Sequence, residues 1–252
     1  MKLLLRISYL GTHFCGYQIQ KDKRTVQGEV NLAAKKLFGF DCDVTGCSRT
    51  DSGVHANDFC ISVTRKGEDS LDTEVDISKI PRALCAHLPA DISVKRAEWV
   101  DKDFHPRYDV KYKEYIYRIY DREVRDPFEE GRSLHISHRL DDDAIAKMNE
   151  AASGFVGKHD FRAFMASGST VESTVREVFY ADVKKVGDAI VFRVAADGFL
   201  YNMVRIMTGT LLSVACGKIA PDEIKDIILS ADRARAGMTA AAHGLYLNKV
   251  VY

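Results

Sequence analysis

One carboxylate in this chain sits where chemistry is easiest to build. Gly46-Cys47-Ser48-Arg49-Thr50-Asp51-Ser52-Gly53-Val54-His55-Ala56 places Asp51 between an arginine two residues before it and a glycine two residues after it. Gly46, Ser48 and Gly53 are the short or flexible residues that a turn requires. A turn held between core elements leaves its side chains reachable while the scaffold fixes them. An aspartate that must stay ionised as a nucleophile or base gains from a nearby cation, which lowers its pKa. Taken alone, the run also fits a polar hairpin turn with a local ion pair.

The elements that must position this turn can be read on either side of it. Residues 2–9 look like a strand, and Thr25 is placed to cap an amphipathic helix over 26–38. A strand over 41–47 should lead into the turn and a strand over 57–65 should leave it. Residues 77–88 fit a short helix around Pro81, 91–100 a strand, and 110–121 a long strand rich in Tyr and Ile. A second round predicts a helix over 141–153, strands over 174–186 and 189–196, helices over 200–216 and 221–231, and a strand over 245–252. The turn-prone residues 122–140 are the one stretch suited to a boundary, giving halves 1–125, with the Asp51 loop, and 126–252, with the Arg205 helix. Two such rounds with hairpin-adjacent strands indicate an α+β fold, with helices on one side of a mainly antiparallel sheet.

Three further features could serve a site. In strand 110–121, Tyr115 and Tyr117 share one face, where a tyrosine is commonly a core residue with a satisfied hydroxyl. Helix 200–216 is apolar nearly all round, so Arg205 needs a partner, because an unpaired buried charge costs on the order of 3–5 kcal/mol. Tyr201, Asn202, Thr208 and Gly209, the positions three and four away, include no acid. The carboxylate must then come from elsewhere in the fold, Asp197 being one alternative. Lys21, Lys23 and Arg24 form a basic loop after Phe14 and Tyr17, an aromatic-and-basic stretch suited to stacking on and tracking RNA. Leu245 and Leu247 alternate with Tyr246 as ordinary core. His55 and His105, beside apolar neighbours, are expected to be hydrogen-bonded structural residues rather than catalytic ones.

The run around Asp51 resembles the signature Gly-x-Gly-Arg-Thr-Asp-Ala-Gly-Val-His-Ala of the tRNA pseudouridine synthase A family, with Ser48 and Ser52 as small-for-small exchanges. The resemblance extends along the chain. Residues 9–20 resemble Tyr-Asp-Gly-Thr-x-Phe-x-Gly-Trp-Gln-x-Gln, with Leu10 for the Asp and Tyr17 for the Trp. Residues 87–92 resemble Asn-Leu-Pro-x-Asp-Ile, 104–108 resemble Phe-His-Ala-Arg-Phe, and 113–117 resemble Lys-x-Tyr-x-Tyr. The blocks 157–161, 199–205, 236–240 and 243–247 follow in the family's order.

The resemblance implies two ferredoxin-like halves joined in one continuous sheet, with a central cleft between them. It implies Asp51 as the nucleophile, Arg49 as the residue that helps take the target uridine out of the RNA stack, and Tyr115 stacked near the uracil. It also implies that Arg205 pairs with Asp51 and that Leu245 or Leu247 lines the base pocket. The implied activity is isomerisation of uridine to pseudouridine on the three-prime side of the tRNA anticodon stem-loop, family positions 38–40, by a homodimer. No cofactor, metal or nucleotide is implied.

Composition is compatible with this. The chain has 252 residues and a formal net charge of +0, so any nucleic-acid contact must come from local clusters rather than bulk charge. The six cysteines include no Cys-x-x-Cys pair, which argues against a zinc site and for a reducing compartment. Leu3-Leu4-Leu5 is cut short by Arg6, too brief for a signal peptide or a membrane span, and a cytoplasmic location is expected. Two rivals come from other classes. An RNA-binding module without catalysis would use the same aromatic and basic residues. An aspartic protease would use Asp51-Ser52-Gly53, but that chemistry needs two such carboxylates and this tripeptide occurs once.

Overall fold

The computed structural model describes residues 1–168 and 171–252, which form two compact units. The first comprises Met1–Lys111 with Leu247–Tyr252, and the second Tyr112–Tyr246.

In the first unit the chain runs β1 (Lys2–Tyr9), α1 (Val26–Phe38), β2 (Cys42–Gly46), β3 (His55–Arg65), α2 (Ile80–Cys85) and β4 (Ile92–Val100). Strand β1 is antiparallel to both β3 and β4, and β2 pairs with the far end of β3 in the register Gly46↔Ile61 to Cys42↔Arg65. The βαββαβ succession with strand order β4-β1-β3-β2 is that of a ferredoxin-like unit. Leu3, Leu5 and Ile7 of β1 face the same way as Phe59, Ile61 and Val63 of β3, and all six are fully buried. Removing each from water contributes about 1.5–3 kcal/mol. The intervening positions face the other way, where Arg6 meets Asp58 at 2.6 Å.

Helix α1 begins as its composition dictates. The Thr25 hydroxyl accepts the Gly28 N–H, and Gly39 closes the helix in the left-handed conformation at φ 79°. Helix α2 is shorter than the expected 77–88.

The second unit contains β5 (Tyr112–Asp121), β6 (Leu134–Ile136), α3 (Asp142–Ser153), β7 (Gly157–Asp160), β8 (Val175–Val186), β9 (Ala189–Ala196), α4 (Met203–Ala215) and α5 (Ile224–Ser230). Its sheet order is β5-β9-β8-β7, antiparallel throughout, with the short β6 added parallel to β5. The run β5-α3-β8-β9-α4 repeats the βαββα of the first unit. Asp141 caps α3 through the Ala144 N–H. The strand β10 (Leu245–Val251) begins in the second unit and ends in the first, where it follows β3 in the sheet.

The fold is therefore α+β, with mostly antiparallel strands and, among the described residues, five α-helices. The units divide at Lys111/Tyr112, not among residues 122–140. That stretch belongs to the second unit because β6 pairs with the end of β5, and the Asp126 N–H donates to the Tyr120 hydroxyl at 3.1 Å. No helix among the described residues is long and apolar enough to cross a membrane.

Candidate active site

Asp51 lies half-buried in the turn between β2 and β3. Its main chain is closed by the Val54 N–H donating to the Asp51 carbonyl at 3.2 Å. Thr50 before it is buried, with its hydroxyl 2.8 Å from that of Tyr9 and its carbonyl accepting the Tyr17 N–H at 3.1 Å. Ser52 after it donates its hydroxyl to the Phe14 carbonyl at 3.1 Å. The segment after β1 is thus bonded to both neighbours of the aspartate.

Two glycines make that approach possible. A Cβ on Gly11 would lie 1.9 Å from the Val54 carbonyl oxygen, and one on Gly16 would lie 2.8 Å from that of Thr50, at a φ of 86°. His55, fully buried, accepts the Gly11 N–H on Nδ1 at 2.8 Å, the structural role expected of it. His105 likewise accepts main-chain N–H groups on Nδ1.

Tyr17 braces the stem of the turn. Its ring stacks on Phe59 at 4.5 Å and presses against Gly46, where an added Cβ would come within 2.5 Å of the ring. Its hydroxyl is buried with no hydrogen-bond partner, and burial pushes its pKa well above the ordinary value. An orphaned buried hydroxyl costs about 1–3 kcal/mol of desolvation. Tyr17→Phe is therefore expected to unfold at an equal or higher urea midpoint. A fall of more than about 1 kcal/mol would show that the hydroxyl is satisfied in solution. Beside it, Cys47 and Cys60 are fully buried, and burial pushes the Cys60 thiol up to about 12. Cys60 is the inert small hydrophobe its apolar setting suggested.

Arg49 is exposed on the turn, two residues before the aspartate. Lys21 and Lys23 are exposed on the loop before α1. Arg24 is differently placed from these lysines. Its guanidinium grips both Asp91 oxygens at 2.9 and 3.0 Å, bonds Glu29 at 3.1 Å and lies 4.2 Å from the Phe14 ring centroid. Its charge is thus matched within the fold, joining the Phe14 segment to Asp91, the residue just before β4.

In the second unit Tyr115 is 7% exposed on β5, opposite Val194, with Phe199 edge-on at 4.9 Å. Tyr117, two residues on, is fully buried and donates its hydroxyl to the Ala241 carbonyl at 2.6 Å, a satisfied core tyrosine. Leu245 and Leu247 are buried in β10.

Arg205 projects from the first turn of α4. Its Nε donates to the Ala240 carbonyl and its Nη1 to Asn202 Oδ1, both at 2.7 Å. Asn202 stands three residues before it in the left-handed region, at φ 60°, and the helix begins after it rather than at 200. A search confined to acids passes over this neutral acceptor. Its signal in the sequence is an asparagine ahead of an apolar helix, since asparagine tolerates that conformation. Asp197, the alternative acid, accepts the Glu177 N–H.

Arg205 is held by a strap that α4 itself admits. A Cβ on Gly209 would lie 1.7 Å from the Met238 carbonyl oxygen, and Gly237 would clash in turn with the main chain of Gly209. Gly237 N–H donates to Thr210 Oγ1 at 2.9 Å, Ala240 N–H to the Arg205 carbonyl at 3.1 Å, and Arg233 Nη1 to the Gly237 carbonyl at 2.9 Å. Nothing in the composition of 233–241 announces this contact.

Comparison with known proteins gives a consistent set of relatives. A family model described as tRNA pseudouridine synthase matches residues 6–109 and 151–252. A tRNA pseudouridine synthase A of Bacillus pumilus is 43% identical over 256 residues, covering 100% of this chain and 99% of that one. Proteins of the same name from Thermoanaerobacter and from Bacillus subtilis are each 42% identical, covering 99% and 100% of this chain and 99% of their own lengths.

Proposed function

The chain belongs to the tRNA pseudouridine synthase family, and we propose that it isomerises uridine to pseudouridine in the tRNA anticodon stem-loop, with Asp51 as nucleophile. In this reaction the N1–C1′ bond breaks, the base turns, and C5 takes the place of N1 on C1′. A proton leaves C5 and one is gained at N1, so nothing is oxidised or reduced. The observation that carries the reading is the half-buried Asp51, held in a turn bonded on both flanks and reachable from solvent.

The target base must leave its stack first, which costs a few kcal/mol. Arg49, exposed beside Asp51, fills the vacated stack or holds the backbone phosphate. The Asp51 oxygen then attacks either C6 of the uracil or the sugar. Tyr115 keeps the base stacked while it turns and assists loss of the C5 proton. Arg205, aimed by its bonds to Ala240 and Asn202, contributes a cation, and Leu245 contributes apolar lining. Lys21 and Lys23 contact phosphates, with Arg24 ordering their loop. The acting species is a homodimer in the cytoplasm.

Treating unmodified tRNA transcripts with the pure protein and mapping pseudouridine by carbodiimide labelling and primer extension tests this. Conversion within the anticodon stem-loop is expected. Binding without conversion would favour an RNA-binding module, and conversion only elsewhere would overturn the assigned target.

A further inference from the structure

Outside the residues given catalytic roles, the first unit presents one aromatic ring to solvent in a fixed pose. Tyr108 is 74% exposed. A lone exposed tyrosine is unremarkable when it swings freely. This one stacks on His105 with ring centroids 4.2 Å apart and planes 29° apart. The His105 ring is itself fixed, because its Nδ1 accepts the N–H of Arg107 at 3.1 Å and of Tyr108 at 3.3 Å.

The turn carrying both rings is closed on itself and anchored to the unit. The Tyr108 and Asp109 N–H groups donate to the His105 carbonyl, and the His105 N–H donates to Asp109 Oδ2 at 2.8 Å. Lys2 Nζ bonds the Phe104 carbonyl at 3.0 Å, the Tyr252 hydroxyl bonds the Pro106 carbonyl at 2.8 Å, and Phe104 meets Tyr252 edge-on at 4.9 Å. The cost of ordering the ring has thus been met in folding, and a partner that stacks on it is spared that cost.

The surroundings indicate what kind of partner that is. Arg107 is exposed, with its guanidinium 5.9 Å from the Tyr108 centroid, and Lys102 is exposed in the same segment. Three carboxylates lie in the same segment, Asp101, Asp103 and Asp109, all exposed; Asp101 and Asp109 each accept a main-chain N–H, and Arg107 is the cation nearest the ring. A planar ring with cations beside it, rather than a contiguous apolar patch, suits a nucleobase and its phosphate better than a protein face.

We propose that Tyr108, backed by His105, is a stacking platform for one unpaired base of the RNA substrate, with Arg107 on the adjoining phosphate. This rests on the reading of the chain as a tRNA-modifying enzyme and adds a binding contact separate from the reacting uridine.

The test compares the full chain with Tyr108→Ala, Tyr108→Phe and Tyr108→Trp in equilibrium binding to an unmodified tRNA transcript, alongside pseudouridine formation. Tyr108→Ala is expected to weaken binding about tenfold, within a range of about 5- to 100-fold, while Tyr108→Phe stays within about twofold of the parent. The Ala variant should raise KM and leave kcat unchanged at saturating tRNA. The Trp variant should lose emission on RNA addition, a signature of stacking that a purely structural role would not produce.

Unchanged tRNA affinity in Tyr108→Ala overturns the proposal, as does a change confined to oligomeric state, which would make the ring a protein contact. A wild-type protein that makes pseudouridine while Tyr108→Ala keeps its KM sinks the platform alone. Loss of binding in Tyr108→Ala without any pseudouridine from the wild type sinks the enzymatic reading and leaves the platform standing. A wild-type protein that binds no RNA removes both.

Discussion

Asp51→Asn is expected to bind tRNA as the parent does and to lose turnover by more than about 10³-fold. The amide matches the carboxylate in shape but is no nucleophile at neutral pH. The bonds described around the turn run through Thr50, Ser52 and the Asp51 carbonyl, so this exchange leaves them in place. Measuring Kd and single-turnover rate on one tRNA separates the two effects. A variant that retained kcat would take Asp51 out of the mechanism. One that lost affinity in the same proportion would make it a binding residue.

Gly209→Ala should destabilise the protein by about 3 kcal/mol or more, against the expectation from helix propensity alone. In an exposed helix this exchange gains about 1 kcal/mol. Here the new methyl group would sit 1.7 Å from the Met238 carbonyl oxygen, which is backbone and not the end of a flexible side chain. The strap cannot step back, because Gly237, Ala240 and Arg233 bond it to α4 and to itself. Urea unfolding with an unchanged slope and a lower midpoint is the expected result. An equal or higher midpoint would mean that the crossing is looser than described. Because Arg205 Nε is aimed by Ala240, the residual folded enzyme should also turn over more slowly.

These two sites differ in how far they could be read in advance. The turn at Asp51 and the helix α1 are local in their causes. Thr25 caps three residues ahead, Gly39 supplies the left-handed close, β2 alternates between buried and exposed positions, and β3 is a nearly continuous buried run. Strand limits over 2–9 and 189–196 coincide with those observed, since both are short apolar-rich runs whose structure is local.

What escaped is non-local or too short to show a period. The three-residue β6 and four-residue β7 hold only because longer strands are there to receive them. The two glycines that let the Phe14 segment reach the turn, and the pair that lets 233–241 lie on α4, look like ordinary loop or helix glycines until their tertiary neighbours are known. Arg205 shows both sides. Its position in an apolar helix pointed to a need for partners, and two of them are the Ala240 carbonyl, 35 residues on, for Nε and the neutral amide of Asn202 for Nη1.

The strand β10 lends its last residues to the unit that the chain begins with. On the ribosome, Met1–Lys111 therefore emerges without a piece of its own sheet. It waits through the synthesis of all of Tyr112–Tyr246 before Leu247–Val251 can dock beside β3. Until then the part of β3 that β2 does not pair, residues 55–60, has an open edge, and closing it spans a long stretch of chain, which slows nascent folding and invites chaperone attention.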